Sequence, residues 1–217
     1  MQPTNLSIDI LSDPVCPWCY IGKRQLDRAI EIWRARNPDA TSPIIEWHPF
    51  QLNPQMPAAG LDRAEYMRAK FGAPDGGTGY ARVLAAASHA GLELRPERIR
   101  RQPSTRRAHA LLRQAAGSPL QHDLAESIFR AFFVDGEDIG DENVLRRIAS
   151  VGGLAEASID AAFESTALAS VDALDSHFRG SGIGGVPYFV IGRRVALSGA
   201  QGVDALLDAF DRIPAQG

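Results

Sequence analysis

Strand-like sequence occurs only near the two ends of this chain, and from about Leu61 to Phe178 the pattern is helical throughout. At the front, Leu6-Ser7-Ile8-Asp9-Ile10-Leu11 alternates in part and runs into Ser12-Asp13-Pro14, a strand followed by its exit loop. From Tyr20 to Ala35 the apolar positions Ile21, Leu26, Ala29, Ile30 and Trp33 recur at helical spacing. Asn37-Pro38 ends that helix, because a residue before proline is pushed out of helical geometry. Ile44 to Phe50 reads as a second strand, so a βαβ unit with parallel pairing and a right-handed crossover is expected. The middle of the chain predicts helices over 63–71, 78–90, 105–116, 120–133, 141–151, 158–162 and 165–178. Asp141-Glu142 and Asp160 read as acidic first turns, and Asp135-Gly136 and Gly152-Gly153 as stops. Strands return at Tyr188-Phe189-Val190-Ile191 and Val195-Ala196-Leu197, joined by a turn at Gly192-Arg193. A last helix over 203–211 should turn Leu206, Leu207 and Phe210 inward. The class is α/β: residues 1–60 and 180–217 form one discontinuous domain, and 61–179 an all-helical insertion between its second and third strands.

Cys16 and Cys19 are the only cysteines in 217 residues, and they flank Pro17-Trp18 where the first strand gives way to the first helix. A sulfur at a helix N-terminus meets free backbone N–H groups and the positive end of the dipole, which favour thiolate over thiol. Cys16 is therefore the expected attacking thiol. Cys19 lies one turn along the same face, within reach of any mixed disulfide formed by the first. Pro17 withholds one N–H and stiffens the turn. Two other readings compete. Zinc needs four ligands, and His48, His89, His109, His122 and His177 are scattered with no partner at ligand spacing, so no metal is expected. An inert buried pair fits poorly with a position at the mouth of a helix.

Other residues have two readings each. Asp13, three residues before Cys16, serves either as general base for Cys19 or as a loop and N-cap residue. His109 sits mid-helix beside alanine and leucine, where a satisfied core histidine is the commoner outcome. Trp18, Tyr20, Trp47, Phe50 and Tyr188 are candidates for an apolar rim, but all except Trp18 read better as core.

Composition narrows the class. A hydrophobic fraction of 45% suits a globular core, and a net charge of −3 gives nucleic acid no purchase. No apolar run approaches the roughly 20 residues of a membrane helix. Met1-Gln2-Pro3-Thr4-Asn5 lacks the basic start of a secretory leader, so a cytoplasmic location is expected. In that compartment a lone Cys-x-x-Cys is more often redox or metal-binding than a structural bridge. Six arginines fall between Arg95 and Arg107. They could face an acidic ligand, but a solvated surface is the simpler reading.

The block from Ser12 to Lys23, with Asp13-Pro14-Val15-Cys16-Pro17-Trp18-Cys19-Tyr20 at its heart, resembles the DsbA family. So do Pro49-Phe50-Gln51-Leu52-Asn53-Pro54, Ala108-His109, Ile183 to Ile191 and Ser198-Gly199-Ala200-Gln201, all in order. Within that family the chain is most similar to the FrnE-like cytoplasmic branch, which is related to 2-hydroxychromene-2-carboxylate isomerases and kappa-class glutathione transferases. The branch usually has Asn-Thr where Ser104-Thr105 stands here, which weakens any substrate contact carried over to that position.

The resemblance implies a thioredoxin-like fold with a helical insertion and a thiol–disulfide oxidoreductase acting on a disulfide-bearing peptide or small molecule. It also implies a cis Val186-Pro187 peptide facing the dithiol, where the backbone of Val186 would pair with an extended substrate. It places His109 near the cleft. Glutathione is the expected redox partner or cosubstrate, with no other cofactor, no nucleic acid or membrane partner, and a monomer or homodimer. The alternative is a glutathione-dependent isomerase or transferase of the kappa type, whose members carry serine at the first thiol position. Cys16 together with Cys19 favours redox chemistry. A binding or chaperone-like module with an apolar groove in the insertion is a third reading.

Overall fold

The partial alternation at the front of the chain becomes β1 (Ser7–Ser12), with Ile8 and Ile10 buried. The computed structural model describes residues 6–214 and places this strand inside a four-stranded sheet ordered β2-β1-β5-β6. β2 (Ile44–Pro49) runs parallel to β1, with Ser7 opposite Ile44 and Ser12 opposite Pro49. β5 (Tyr188–Ile191) and β6 (Val195–Ser198) close the other side as the expected antiparallel hairpin. The absence of a leader was inferred from residues 1–5, which lie outside the described residues. No described helix is long and apolar enough to cross a membrane.

α1 (Pro17–Arg36) links β1 to β2, and α9 (Val203–Asp211) packs beside it through the edge of Trp33 against Phe210. Gly22 lets α1 lie close on the start of β5. A Cβ there would come within 3.1 Å of both Pro187 Cγ and Phe189 Cζ. Leu206, Leu207 and Phe210 are buried as expected.

Between β2 and β5 run α2 (Arg63–Phe71), α3 (Gly77–His89), α4 (Arg106–Gln114), α5 (Leu120–Arg130), α6 (Glu142–Val151), α7 (Glu156–Ala162) and α8 (Ser165–Gly180). This segment is not all-helical as expected. β3 (Leu61–Asp62) and β4 (Arg101–Gln102) pair antiparallel across it. Strands of two residues have no period to read, which is why the sequence pattern missed them. A π-helical turn, Ala131–Asp135, extends α5 and stops at Gly136 with φ 76°. Asp141 caps α6 by accepting from Asn143 N at 2.8 Å. Asp160 lies well inside α7, paired with Arg146 at 2.6 Å, because that helix begins earlier than its apolar residues suggested.

One apolar cluster runs from Ile8 and Ile10 of the sheet into Phe129, Phe132 and Phe133 of the helical block. Tyr20 of α1 stacks on Phe129 with ring centroids 5.1 Å apart. Burying each large side chain of this kind contributes about 1.5–3 kcal/mol. The seam between helices and sheet is therefore part of one continuous core.

Candidate active site

β1 ends at Ser12, and the turn through Asp13, Pro14 and Val15 delivers Cys16 as the N-cap of α1, with φ −91° and ψ 112°. Pro17 follows at the first helical turn, where its missing N–H costs nothing. Cys16 N–H closes the turn on Asp13 O at 2.9 Å. The Asp13 side chain is fully buried and accepts from Leu52 N at 2.7 Å and Val15 N at 3.5 Å. One carboxylate thus ties the turn before α1 to the loop after β2. That loop is held from its other side as well. Gln51 N–H donates to Asp175 Oδ1 at 2.7 Å, Arg179 donates to Gln51 O, and the Arg179 guanidinium lies 4.1 Å over the Phe50 ring.

Cys16 and Cys19 come within 3.4 Å of each other, and both are free thiols. The Cys16 thiol points at Val186 O, 3.7 Å away, and the Val186–Pro187 peptide is cis. The sulfur therefore does not meet the free N–H groups of α1 in the way the sequence suggested. Cys16 makes no side-chain cap bond, and the N–H groups of Cys19 and Tyr20 both go to its carbonyl oxygen, at 3.0 and 3.3 Å.

Cys19 is 1% exposed against 4% for Cys16. Burial pushes the Cys19 thiol well above the usual thiol range, and the hydrogen bond and charge of Cys16 push it further; Ser12 and the Asp13 backbone pull back more weakly.

A profile of the DSBA-like thioredoxin domain matches residues 7–211. The chain belongs to the DsbA-like thioredoxin family. It is 29% identical over 205 residues to the uncharacterized protein YwbO of Bacillus subtilis, covering 94% of each. Among solved structures it is similar to a probable DsbA oxidoreductase from Streptomyces coelicolor, with 26% identity, a TM-score of 0.81 and coverage of 98% of this chain and 94% of that one. It also shares its fold with the cytosolic disulfide reductase DsbM of Pseudomonas aeruginosa in a structure with glutathione. There the identity is 19%, the TM-score 0.64 and the coverage 94% of each chain.

In this DsbA-family chain the helical block between β2 and β5 supplies part of the site. His109 of α4 is 2% exposed, and its Nε2 lies 3.7 Å from Asp13 Oδ1. The structure thus brings Asp13 and His109 together. A hollow of about 10 Å³ lies alongside, lined by Ser12, Pro14, Trp47, His48, His109 and Phe129 among others. Of the rim candidates, Trp18 is 39% exposed; Tyr20, Trp47 and Phe50 belong to the core, while Tyr188, read as core, is only half-buried at the start of β5.

Ser12 and Gln51 were not singled out by sequence reasoning, and neither carries a local pattern that would have marked it. Asp9, Glu46 and His48 also converge, with ligand atoms within 4.8 Å of one another. They share one face of the parallel β1–β2 pair, where Asp9 stands opposite Glu46 and Leu11 opposite His48. His48 Nε2 and Asp9 Oδ1 are hydrogen-bonded at 2.9 Å, and neither sulfur takes part in the grouping.

Proposed function

We propose that this DsbA-family protein is a thiol–disulfide oxidoreductase that works through a mixed disulfide on Cys16. The observation that carries the reading is a pair of free thiols 3.4 Å apart at the mouth of α1, with Cys16 facing the carbonyl of Val186. Cys16 as thiolate attacks a substrate disulfide. One substrate sulfur leaves with the electron pair and takes up a proton, while the other stays bonded to Cys16. Cys19 then loses its proton and attacks Cys16 Sγ, which expels the second substrate sulfur and leaves the Cys16–Cys19 bridge. The substrate disulfide gains two electrons and the enzyme dithiol gives them. Two glutathione molecules, becoming glutathione disulfide, would restore the dithiol. Glutathione in the DsbM structure, on a similar fold, supports this choice of reductant.

Pro187 has no N–H to compete for the sulfur, and the backbone of Val186 offers an extended peptide one edge to pair with. Trp18 supplies an exposed apolar face beside the sulfurs. In a reducing cytoplasm the net direction would be reduction or isomerisation. Residues 61–179 then act as an insertion that walls the dithiol of the 1–60 and 180–217 domain.

Insulin-disulfide reduction with glutathione as electron source tests the reading. Cys16→Ser should abolish turnover, and Cys19→Ser should accumulate a mixed disulfide seen by intact-mass measurement. Equal activity in wild type and both variants would reject the dithiol mechanism. Glutathione-dependent isomerase activity surviving in Cys16→Ser would point instead to the kappa-type chemistry.

A further inference from the structure

Among the described residues, two buried polar atoms that line one hollow at the end of β1 have no hydrogen-bond partner: Ser12 Oγ and His109 Nε2. The residues are 3% and 2% exposed, so bulk water does not serve them. Both side chains border the hollow of about 10 Å³ at the end of β1, whose remaining wall includes Leu112, Ile128 and Phe129. A space of that size has room for a single water molecule, and a buried water is retained where several polar groups meet it. Asp13 Oδ1 gives a third indication. It stands 3.7 Å from His109 Nε2, too far for a direct hydrogen bond and a separation that a bridging water spans.

We propose that the hollow holds one water joining Ser12 Oγ to His109 Nε2, and that this water conducts the proton of Cys19 to His109 when the mixed disulfide is resolved. The inference rests on the dithiol reading above and names the proton acceptor that reading lacks. Cys19 cannot attack as a thiol, and its burial holds it in the protonated form. The Ser12 hydroxyl acts on the Cys19 sulfur in the opposite sense, and Ser12 ends β1 at the turn that leads to Cys16, so it is the first link of the proposed chain. In the step, Cys19 S–H gives its proton to the Ser12 hydroxyl as Ser12 passes its own to the water. The water in turn protonates His109 Nε2. The Cys19 thiolate forms the bond to Cys16 Sγ with its electron pair, and the bond from Cys16 to the substrate sulfur breaks. The departing thiolate receives the proton back from the imidazolium.

Asp13, a buried carboxylate beside the ring, stabilises the imidazolium while it lasts. Of the other titratable groups on elements around α4, Asp123, Glu156 and His177 are exposed, and Glu46 on β2 lies with Asp9 and His48. His48 on β2 is bonded to Asp9, Asp175 on α8 to Gln51 and Arg179, and Asp172 to Arg106. Among the described residues, Asp13 is the acidic side chain that comes within 4.0 Å of the His109 ring.

The test isolates resolution. Cys16 is loaded with 5-thio-2-nitrobenzoate as a mixed disulfide, and its release is followed by absorbance in single turnover across about pH 6 to 9. His109→Gln keeps a polar side chain that cannot take the proton. It should slow release about 100-fold near neutral pH, the scale of a lost general base, with the gap closing as hydroxide takes over at high pH. Ser12→Ala should slow it in the same direction. Alkylation of Cys16 by iodoacetamide in a Cys19→Ser background should be unchanged by either. Release by His109→Gln within about twofold of wild type at every pH, or a deficit that does not vary with pH, overturns the relay. Should His109→Gln not fold, Ser12→Ala and a high-resolution crystal structure decide. Density for one water in contact with both atoms supports the relay, and its absence refutes it. A wild-type protein that never releases the probe would instead count against the dithiol reading.

Discussion

Replacing Gln121 with leucine removes the side chain that takes the place of a neighbouring strand along β2. That strand is an edge of the sheet, and the N–H and C=O of Trp47 turn outward from β1. Gln121 reaches in from α5, fully buried. Its Oε1 accepts from Trp47 N at 2.9 Å, and its Nε2 donates to Trp47 O at 3.1 Å and Leu112 O at 3.0 Å. Leucine keeps the bulk and loses all three bonds. The Trp47 N–H is then buried without an acceptor, a cost of about 1–3 kcal/mol. Leu112 O still accepts from Ala115 N at 3.1 Å, so only Trp47 O adds a further cost, of about 1 kcal/mol. The sum is about 2–4 kcal/mol. In a chain of this length each kcal/mol moves the midpoint by about 2–4 °C, so thermal unfolding of the reduced protein should shift down by about 4–16 °C. Gln121→Glu should be worse than leucine, since it aims a buried carboxylate at two carbonyl oxygens. A leucine variant that melts within about 2 °C of wild type would mean the edge is satisfied some other way, and the reasoning would fail.

The raised Cys19 thiol predicts a pH dependence of stability. The folded reduced protein keeps a proton that the unfolded chain releases near the ordinary thiol value of about 8.5, so stability falls as pH rises beyond it, by up to about 1.4 kcal/mol per unit. Cys19→Ala should flatten that fall in urea unfolding between about pH 8 and 10, and parallel profiles for the two proteins would contradict the assignment. At Gly136, φ is 76° and an added Cβ would lie 2.5 Å from Arg98 Cβ and 2.6 Å from Arg98 O. Gly136→Ala should therefore cost about 2–5 kcal/mol from left-handed strain and overlap together; a loss below about 1 kcal/mol in the urea midpoint would sink the argument.

What could be read from the sequence was what repeats locally. β1, β2 and the terminal hairpin show themselves through apolar alternation, and α9 through Leu206, Leu207 and Phe210, because burial on one face imposes a period. The two-residue strands β3 and β4 have no period, and the π-helical turn after α5 continues a helical pattern without marking its change of pitch. The same division holds at the site. Cys16 and Cys19 are visible because three residues along a helix return to one face. Val186 and His109 came into view through family resemblance alone. Ser12, Gln121 and the joining of Asp13 to Leu52 and His109 stayed hidden, since each is a single polar contact between distant segments. Such a contact leaves no trace in spacing.

Those hidden contacts bear on which part of the chain makes the site. The dithiol, Asp13, Val186 and Pro187 all come from the first and last segments, as the fold of a thioredoxin unit alone would allow. The partners that hold them in place do not. Asp175 and Arg179 of α8 fix the loop after β2, and His109 of α4 meets Asp13. Gln121 of α5 closes the β2 edge, and Leu112, Ile128 and Phe129 wall the hollow. Without them the Gln51 and Trp47 N–H groups would lose their acceptors, and Asp13 its neighbouring ring. Burial is also the largest cause of the difference between Cys19 and an ordinary thiol, and the apolar cluster that buries it is shared between sheet and helices. The helical insertion is thus better regarded as the second half of the proposed redox site than as an appendage to it.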